Sequence, residues 1–394
     1  MDKADGAAAL MDKSGRIGSV KQFDALLFAA VLALTAVGYY FLYVVRQTFS
    51  GAEGLRDTNM NRQLVAIIIG IVAALFLSSV DYRYYKLPSY VGYIGSIFVL
   101  TLTVIMGAGG KTTGNRSWIT LFGVNFQPSE LAKITFIVVS ASFFEKIQQK
   151  TAVKLDYFKL IFYMLAPVAL VQLQRDTGTV LVFLFIIAVM LYISGIKYRY
   201  IFIMISMLIA SLPMLWMFVL RDKQKMRIMI FLNPELDKAN TGWQPLLARS
   251  AIGAGELFGR QVDNPSAAHY SVIPARHTDF IFTVIAEKTG FFGCVLLILL
   301  YLFVLLRCLY IASKARDSYG SYMASGLTAM LMFHFIENIG MNIGIMPVTG
   351  IPLPFISYGG TSIITNFIAI GIILSVSVTR GEPVARSALK LELP

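Results

Sequence analysis

Long apolar runs recur along the whole chain, and they constrain the fold more than any other feature. Ten stretches, at 24–45, 63–80, 88–106, 127–144, 157–172, 178–195, 200–219, 280–306, 322–345 and 361–379, approach or exceed the ~20 residues needed to cross a hydrocarbon core of about 30 Å. Backbone in lipid must satisfy its own hydrogen bonds, so such runs fold as helices. A transmembrane barrel would instead show ~10-residue alternating segments, which are absent. Composition agrees: 57% of residues are hydrophobic and 14% charged, with a mean hydropathy of +0.69, against about half and a quarter in ordinary soluble chains. The reading is an all-α polytopic membrane protein with about ten transmembrane helices. It excludes disordered, collagenous and ordinary soluble classes. Pro88 and Pro128 suit the first turn of a helix, and Gly107 through Gly110 stop the third span.

The net charge of +12 is spread between the apolar runs rather than gathered on a soluble face, which argues against a nucleic-acid partner. Placing the N-terminus inside collects Arg83, Lys86, Lys146, Lys150, Lys154, Lys159, Lys197, Arg199, Arg307, Lys314, Arg316, Arg380, Arg386 and Lys390 on one side. The opposite short loops keep Arg46, Arg56, Arg62, Lys111, Arg116 and Arg175. Both termini are therefore expected in the cytoplasm, with a tail over 1–23, one membrane domain over 24–380 and a second tail over 381–394. The first 23 residues lack a cleavage pattern, so the first span reads as an uncleaved signal anchor.

A long outer loop, 220–279, separates the seventh and eighth spans. Its eight bases and six acids nearly balance, and loops of this length tend to be functional. Leu246-Leu247-Ala248 within it is expected to lie on the membrane surface. Cys294 and Cys308 fall fourteen residues apart in one expected helix, about 21 Å, too far for a disulfide. No zinc-ligand spacing occurs.

Two nucleotide-like patterns carry no weight. Ala108-Gly109-Gly110-Lys111-Thr112 lacks the first glycine of a phosphate loop, and Gly253-Ala254-Gly255-Glu256-Leu257-Phe258-Gly259 has Phe258 where a dinucleotide fingerprint needs glycine. Both read as turn glycines. Ionisable groups in or beside spans are more informative, since each costs ~2.5–3.5 kcal/mol at mid-membrane unless it meets a cavity or a partner. Glu130 and Lys133 share a helix face at i, i+3, and self-neutralisation is their simplest role. Asp279 marks the outer start of the eighth span, with Glu287 deeper; Thr278 and Asp279 both suit a helix cap, so cap and catalytic carboxylate stand level for Asp279. His334, Glu337, Asn338 and Asn342 recur at helical spacing in the ninth span and read as interhelical hydrogen-bonding groups.

Pro347, Pro352 and Pro354 with Gly350, Gly359 and Gly360 make a rigid, irregular outer segment before the last span, tolerated at membrane depth against protein or a wet cavity. Lys111, Arg116, Arg175 and Arg276 can approach the same outer surface. Cations beside outward carboxylates suit a substrate with a pyrophosphate leaving group; solvated charge is the alternative for each.

Several segments resemble the shape, elongation, division and sporulation (SEDS) family. Asn115-Arg116-Ser117-Trp118-Ile119 and Gln127-Pro128-Ser129-Glu130-Leu131-Ala132-Lys133 look like one hallmark region. Arg175-Asp176-Thr177-Gly178-Thr179 is similar to the family's Pro-Asp-x-Gly-Thr, with Arg175 in place of proline. Asn233-Pro234 and Gly242-Trp243-Gln244 fall in the long loop as the family's do. His277-Thr278-Asp279-Phe280-Ile281-Phe282, then Glu287 and Gly290, is a further match, as is Asn338 through Met341 followed by Gly350 through Gly360. The resemblance covers roughly 24–380, with wording in the last three spans closest to the RodA branch; FtsW and SpoVE share most of the motifs.

The resemblance implies a glycosyltransferase that polymerises lipid II, an undecaprenyl-pyrophosphate-linked disaccharide peptide, at the outer face of the bacterial cytoplasmic membrane. A class B penicillin-binding protein would work beside it. Asp279 would be the essential carboxylate, with Glu130 and Lys133 its neighbours in an outward-open cavity. Arg116, Lys111, Gln127, Ser129, Asp176, His277, Thr278 and Ser357 would bind substrate. Lys133 would either hold Asp279 ionised or bind pyrophosphate, and a divalent cation (Mg or Mn) would assist there, though no ligand cluster demands one. A flippase for the same lipid, or a non-catalytic scaffold, is the alternative. An enzyme places its polar residues at the outer ends of the spans, whereas a flippase continues a polar path to the inner side.

Overall fold

The computed structural model describes residues 23–47, 57–107, 116–121, 124–196, 199, 202–203, 206–207, 210, 213–220, 222–233, 236, 242–260 and 268–379. Nine of the ten expected spans coincide with described helices: α1 (Ala25–Gln47), α2 (Asp57–Ser79), α3 (Lys86–Met106), α4 (Pro128–Gln148), α5 (Lys154–Leu173), α6 (Thr177–Ile193), α9 (Ile281–Ser313), α10 (Ser318–Ile343) and α11 (Gly360–Val378). Six are long and apolar enough to cross a membrane by length and composition. Part of the seventh expected span, nearly all of both tails, Lys111, Asn115 and Pro234 lie outside the described residues.

Helix α10 is the hub, packing on α4, α6, α9 and α11. Burial along nearly its whole length lets it carry His334, Glu337, Asn338 and Asn342 without presenting them to lipid. Ion pairs collect where the charge pattern places the cytoplasm. Asp24 receives Arg307 Nε at 2.7 Å, Lys86 meets Glu145, and Lys146 lies 3.7 Å from Asp156.

The long loop is more ordered than expected. It contains α7 (Asp222–Leu232) and α8 (Trp243–Ala254). Leu246-Leu247-Ala248 falls within α8, with Leu246 and Leu247 half-buried and Ala248 buried. Pro245, Ala248 and Ala251 recur every three residues and bury one face of α8 against α9 and α10. A hairpin of β1 (Ile119–Leu121) and β2 (Val124–Phe126), with Thr120 opposite Asn125, was not foreseen, because three-residue strands fall below the length at which alternation registers.

Helix α9 breaks at Gly290 (φ 66°, ψ −163°). The turn after α8 fills the break: Arg260 N–H donates to Glu287 O at 2.7 Å, and Glu256 O and Leu257 O accept from Phe291 and Phe292 N–H at 2.8 and 3.2 Å. Backbone groups freed by the kink are thus satisfied within the protein. Gly255 and Gly259 belong to this turn, with Gly259 at φ 89°, whereas Gly253 lies inside α8.

Candidate active site

The sequence HTDF leads into α9 through a tight turn rather than a cap. Thr278 and Asp279 N–H both donate to Ala275 O at 3.0 Å, and Phe280, with no side-chain capping bond, is the residue that precedes α9. Asp279 is half-buried and its carboxylate performs no cap. Its main chain is gripped instead: Asn338 and Asn342 of α10 donate their amides to Asp279 O at 2.9 and 3.0 Å. Ser357 Oγ donates to Thr278 O at 2.6 Å, and Tyr358 N–H donates to His277 O at 2.8 Å. Asn338 also donates to Ile351 O at 2.8 Å, so three segments meet around one acid.

Burial pushes the Asp279 carboxyl up to about 6, while the Thr278 hydroxyl and the Arg227 guanidinium pull it back. Arg227, on α7, also acts electrostatically on Glu337, whose carboxyl accepts from Thr349 Oγ1. Burial, reinforced by Arg276, pushes the His277 imidazole down. Gly350 follows at φ 83°, where an added Cβ would stand 3.3 Å from Asp279 Oδ2.

A second cluster lies between α4 and α10. Lys133 Nζ is 2.7 Å from Glu130 Oε1 and 2.9 Å from His334 Nε2, and the Lys133 and Glu130 side chains are 1% and 4% exposed. The expected neighbours are brought together, but as a pair with His334. No ion pair joins Lys133 to Asp279, and the cation acting on that carboxyl is Arg227. Breaking a buried pair strands its partner, so Lys133→Met is expected to cost about 3–5 kcal/mol. The joint Glu130→Gln, Lys133→Met variant should recover part of that loss. Thermal melts of both in detergent check this, and a double variant less stable than the single contradicts it.

Gln127 Nε2 donates to Asp176 Oδ2 at 3.2 Å, and Asp176 Oδ1 accepts from Thr179 N–H at 3.2 Å. Asp176 therefore caps α6, and burial pushes its carboxyl up. Ser129 is fully buried. Arg116 is exposed, its N–H bonded to Gln174 O at 2.9 Å. Arg276, expected as a surface cation, is 7% exposed and donates to Ser271 O and Ile273 O at 2.8 and 3.3 Å, so it fastens the loop. Glu287 does likewise, accepting from the N–H groups of His269 and Tyr270 at 2.9 Å.

Arg175 sits at φ 68°, a left-handed conformation that a proline ring forbids. Arg175→Gly is expected to stabilise by up to about 1 kcal/mol, and Arg175→Pro to destabilise by more than that. Equal melting temperatures for the two would contradict this backbone geometry.

Sequence reasoning missed Arg227, which stands in a run of Asp222-Lys223-Gln224-Lys225 that reads as a solvated helix face. The available signal was local: Ile230 and Phe231, three and four residues on, put an apolar stripe beside Arg227.

Known proteins resemble this chain over most of its length. The FtsW/RodA/SpoVE family model, described as a cell cycle protein, matches residues 24–382. The peptidoglycan glycosyltransferase RodA of Treponema pallidum is 33% identical, covering 92% of this chain and 99% of its own. The peptidoglycan glycosyltransferase MrdB of Escherichia coli is 33% identical, over 84% and 88%. Among solved structures, a chain described under structural coordination of polymerization and crosslinking by a peptidoglycan synthase complex matches with a TM-score of 0.77 and 31% identity, over 91% and 99%. The rod shape determining protein RodA of Thermus thermophilus matches at 0.65 and 28%, over 91% and 97%. With a family match spanning the membrane region and relatives aligned nearly end to end, this multi-span membrane protein belongs to the FtsW/RodA/SpoVE, or SEDS, family.

Proposed function

We propose that the chain is a peptidoglycan glycosyltransferase polymerising lipid II at the outer face of the bacterial cytoplasmic membrane, in wall elongation and cell-shape maintenance. The Asp279 carboxyl carries the reading: half-buried, without capping duty, and set on a main chain that α10 holds in place. A sugar hydroxyl of one lipid-linked disaccharide attacks the anomeric carbon of another and gives its proton to Asp279. The bond from that carbon to the pyrophosphate oxygen breaks, and the electron pair leaves with the pyrophosphate. Configuration inverts without a covalent enzyme intermediate.

Glu130, Lys133 and His334 act as one buried polar unit that fixes α4 against α10, the helix that also holds the main chain of this acid. Gln127, Asp176, Thr278 and Ser357 hold the segments around it. A divalent cation at this site would rest on one or two carboxylates and the substrate's own pyrophosphate oxygens. Among the described residues no three His, Cys, Asp or Glu side chains gather into a cage, and Arg227 already serves the Asp279 and Glu337 carboxyls.

The partner that fits is a class B penicillin-binding protein, supplying the cross-links. The test is the purified chain with that partner and labelled lipid II, comparing the parent with Asp279→Ala. Polymer from the parent and none from a folded variant supports the reading; equal polymer removes Asp279 from the mechanism.

A further inference from the structure

A cleft of about 90 Å³ opens between α7, α8 and the 344–348 turn. Arg227, Gln244 and Arg249 line it together with Ile230, Phe231 and Met346. Arg249 is anchored at the rim, donating Nη2–H to Gly344 O at 3.1 Å, just beyond the end of α10. Arg227 is half-buried and makes no hydrogen bond or ion pair among the described residues. Its charge lies within electrostatic reach of Asp279 and Glu337. The chain that forms one wall, through Val348, continues to Thr349, bonded to Glu337, and to Gly350 beside Asp279. Cleft and acid thus share a strand of backbone.

Two guanidiniums and an amide among apolar walls select a particular chemistry. Fork-shaped donors match phosphate oxygens, and the walls accept the first carbons of a lipid. One negative headgroup would need one cation, whereas a diphosphate uses two. We propose that Arg227, Arg249 and Gln244 hold the diphosphate of a polyprenyl-diphosphate-linked substrate in this cleft. Arg227 meets the oxygens on which negative charge develops as the glycosidic carbon departs. The inference rests on the glycosyltransferase reading above.

Binding of the released product tests it without turnover. The full-length chain is placed in phosphatidylcholine nanodiscs and titrated with undecaprenyl diphosphate. Arg227→Gln is expected to weaken binding about tenfold or more, the loss of a charged hydrogen bond. Arg227→Lys should recover part of it, Arg249→Gln should weaken binding severalfold, and Asp279→Asn, which removes a negative charge within reach of Arg227, should not weaken it. Parental affinity in Arg227→Gln overturns the proposal, as does failure of the parent to bind. Displacement of the diphosphate by phosphatidylglycerol at equal concentration overturns it too, because the cleft would then read headgroup charge alone. Failure of the underlying reading looks different: the parent with its partner would form no polymer from lipid II while the Arg227 effect on binding persists.

Discussion

Asp279→Asn is expected to polymerise lipid II about 10²–10⁴-fold more slowly than the parent, the range a positioned proton acceptor supplies. The amide keeps the shape of the carboxylate and cannot take the proton. Burial sets the pH dependence. With the carboxyl pushed up to about 6, a base that works ionised loses activity as pH falls through that value, roughly tenfold per unit below it. The sign for stability is opposite. Ionising Asp279 is harder in the folded chain than in the unfolded one, whose carboxyl titrates at roughly 4, so this group removes stability as pH rises from there to about 6. The Asn variant, relieved of that cost, should melt no lower than the parent at neutral pH. A well-folded Asn variant with parental turnover, or a parental rate flat between pH 5 and 7, would refute the general-base role.

Gly259→Ala and Gly290→Ala are each expected to destabilise the protein by about 2–5 kcal/mol, combining backbone strain with overpacking. A Cβ at Gly259 would lie 2.1 Å from Lys288 O, and one at Gly290 would lie 2.3 Å from Gly259 N. The blocking atoms belong to main chain, so no rotamer change relieves the clash. Both residues also hold positive φ, 89° and 66°, and Gly290 combines it with ψ −163°, a region nearly reserved for glycine. Gly253→Ala is the matched control: its Cβ meets nothing within 4 Å, and alanine inside helix α8 should gain up to about 1 kcal/mol. Thermal melts of the three variants in one detergent compare them directly. Equal losses at 253 and 259 would contradict the packing at the kink.

Much of this was legible from residue order, for physical reasons. Lipid leaves backbone no partner but itself, so hydropathy locates nine described helices to within a few residues except at the start of α2 and the inner end of α9. There, polar residues such as Asp57 and Asn61, or Arg307, carry a helix past its expected run. The Glu130–Lys133 pair was legible because helical spacing fixes neighbours three apart. Its third member, His334, lies 201 positions away, and no local periodicity reports such a meeting. Arg276 misled for the same reason: a basic residue in a polar loop reads as solvated until the carbonyls of Ser271 and Ile273 fold over it. The Asp279 ambiguity was of another kind. Cap and base require the same residue type at a helix start, and the turn through Ala275 separates them.

The amide grip of Asn338 and Asn342 on the Asp279 main chain has a mechanical consequence. The acid proposed as the base takes its position from the bundle's central helix, with Ser357 and Tyr358 tethering the two residues before it. A slide of α10 carries the acid along, and an ångström is about the misplacement that costs a hundredfold in rate. Lipid-facing substitutions on helices that brace α10 are therefore positioned to throttle turnover from a distance, while substrate affinity stays as it was.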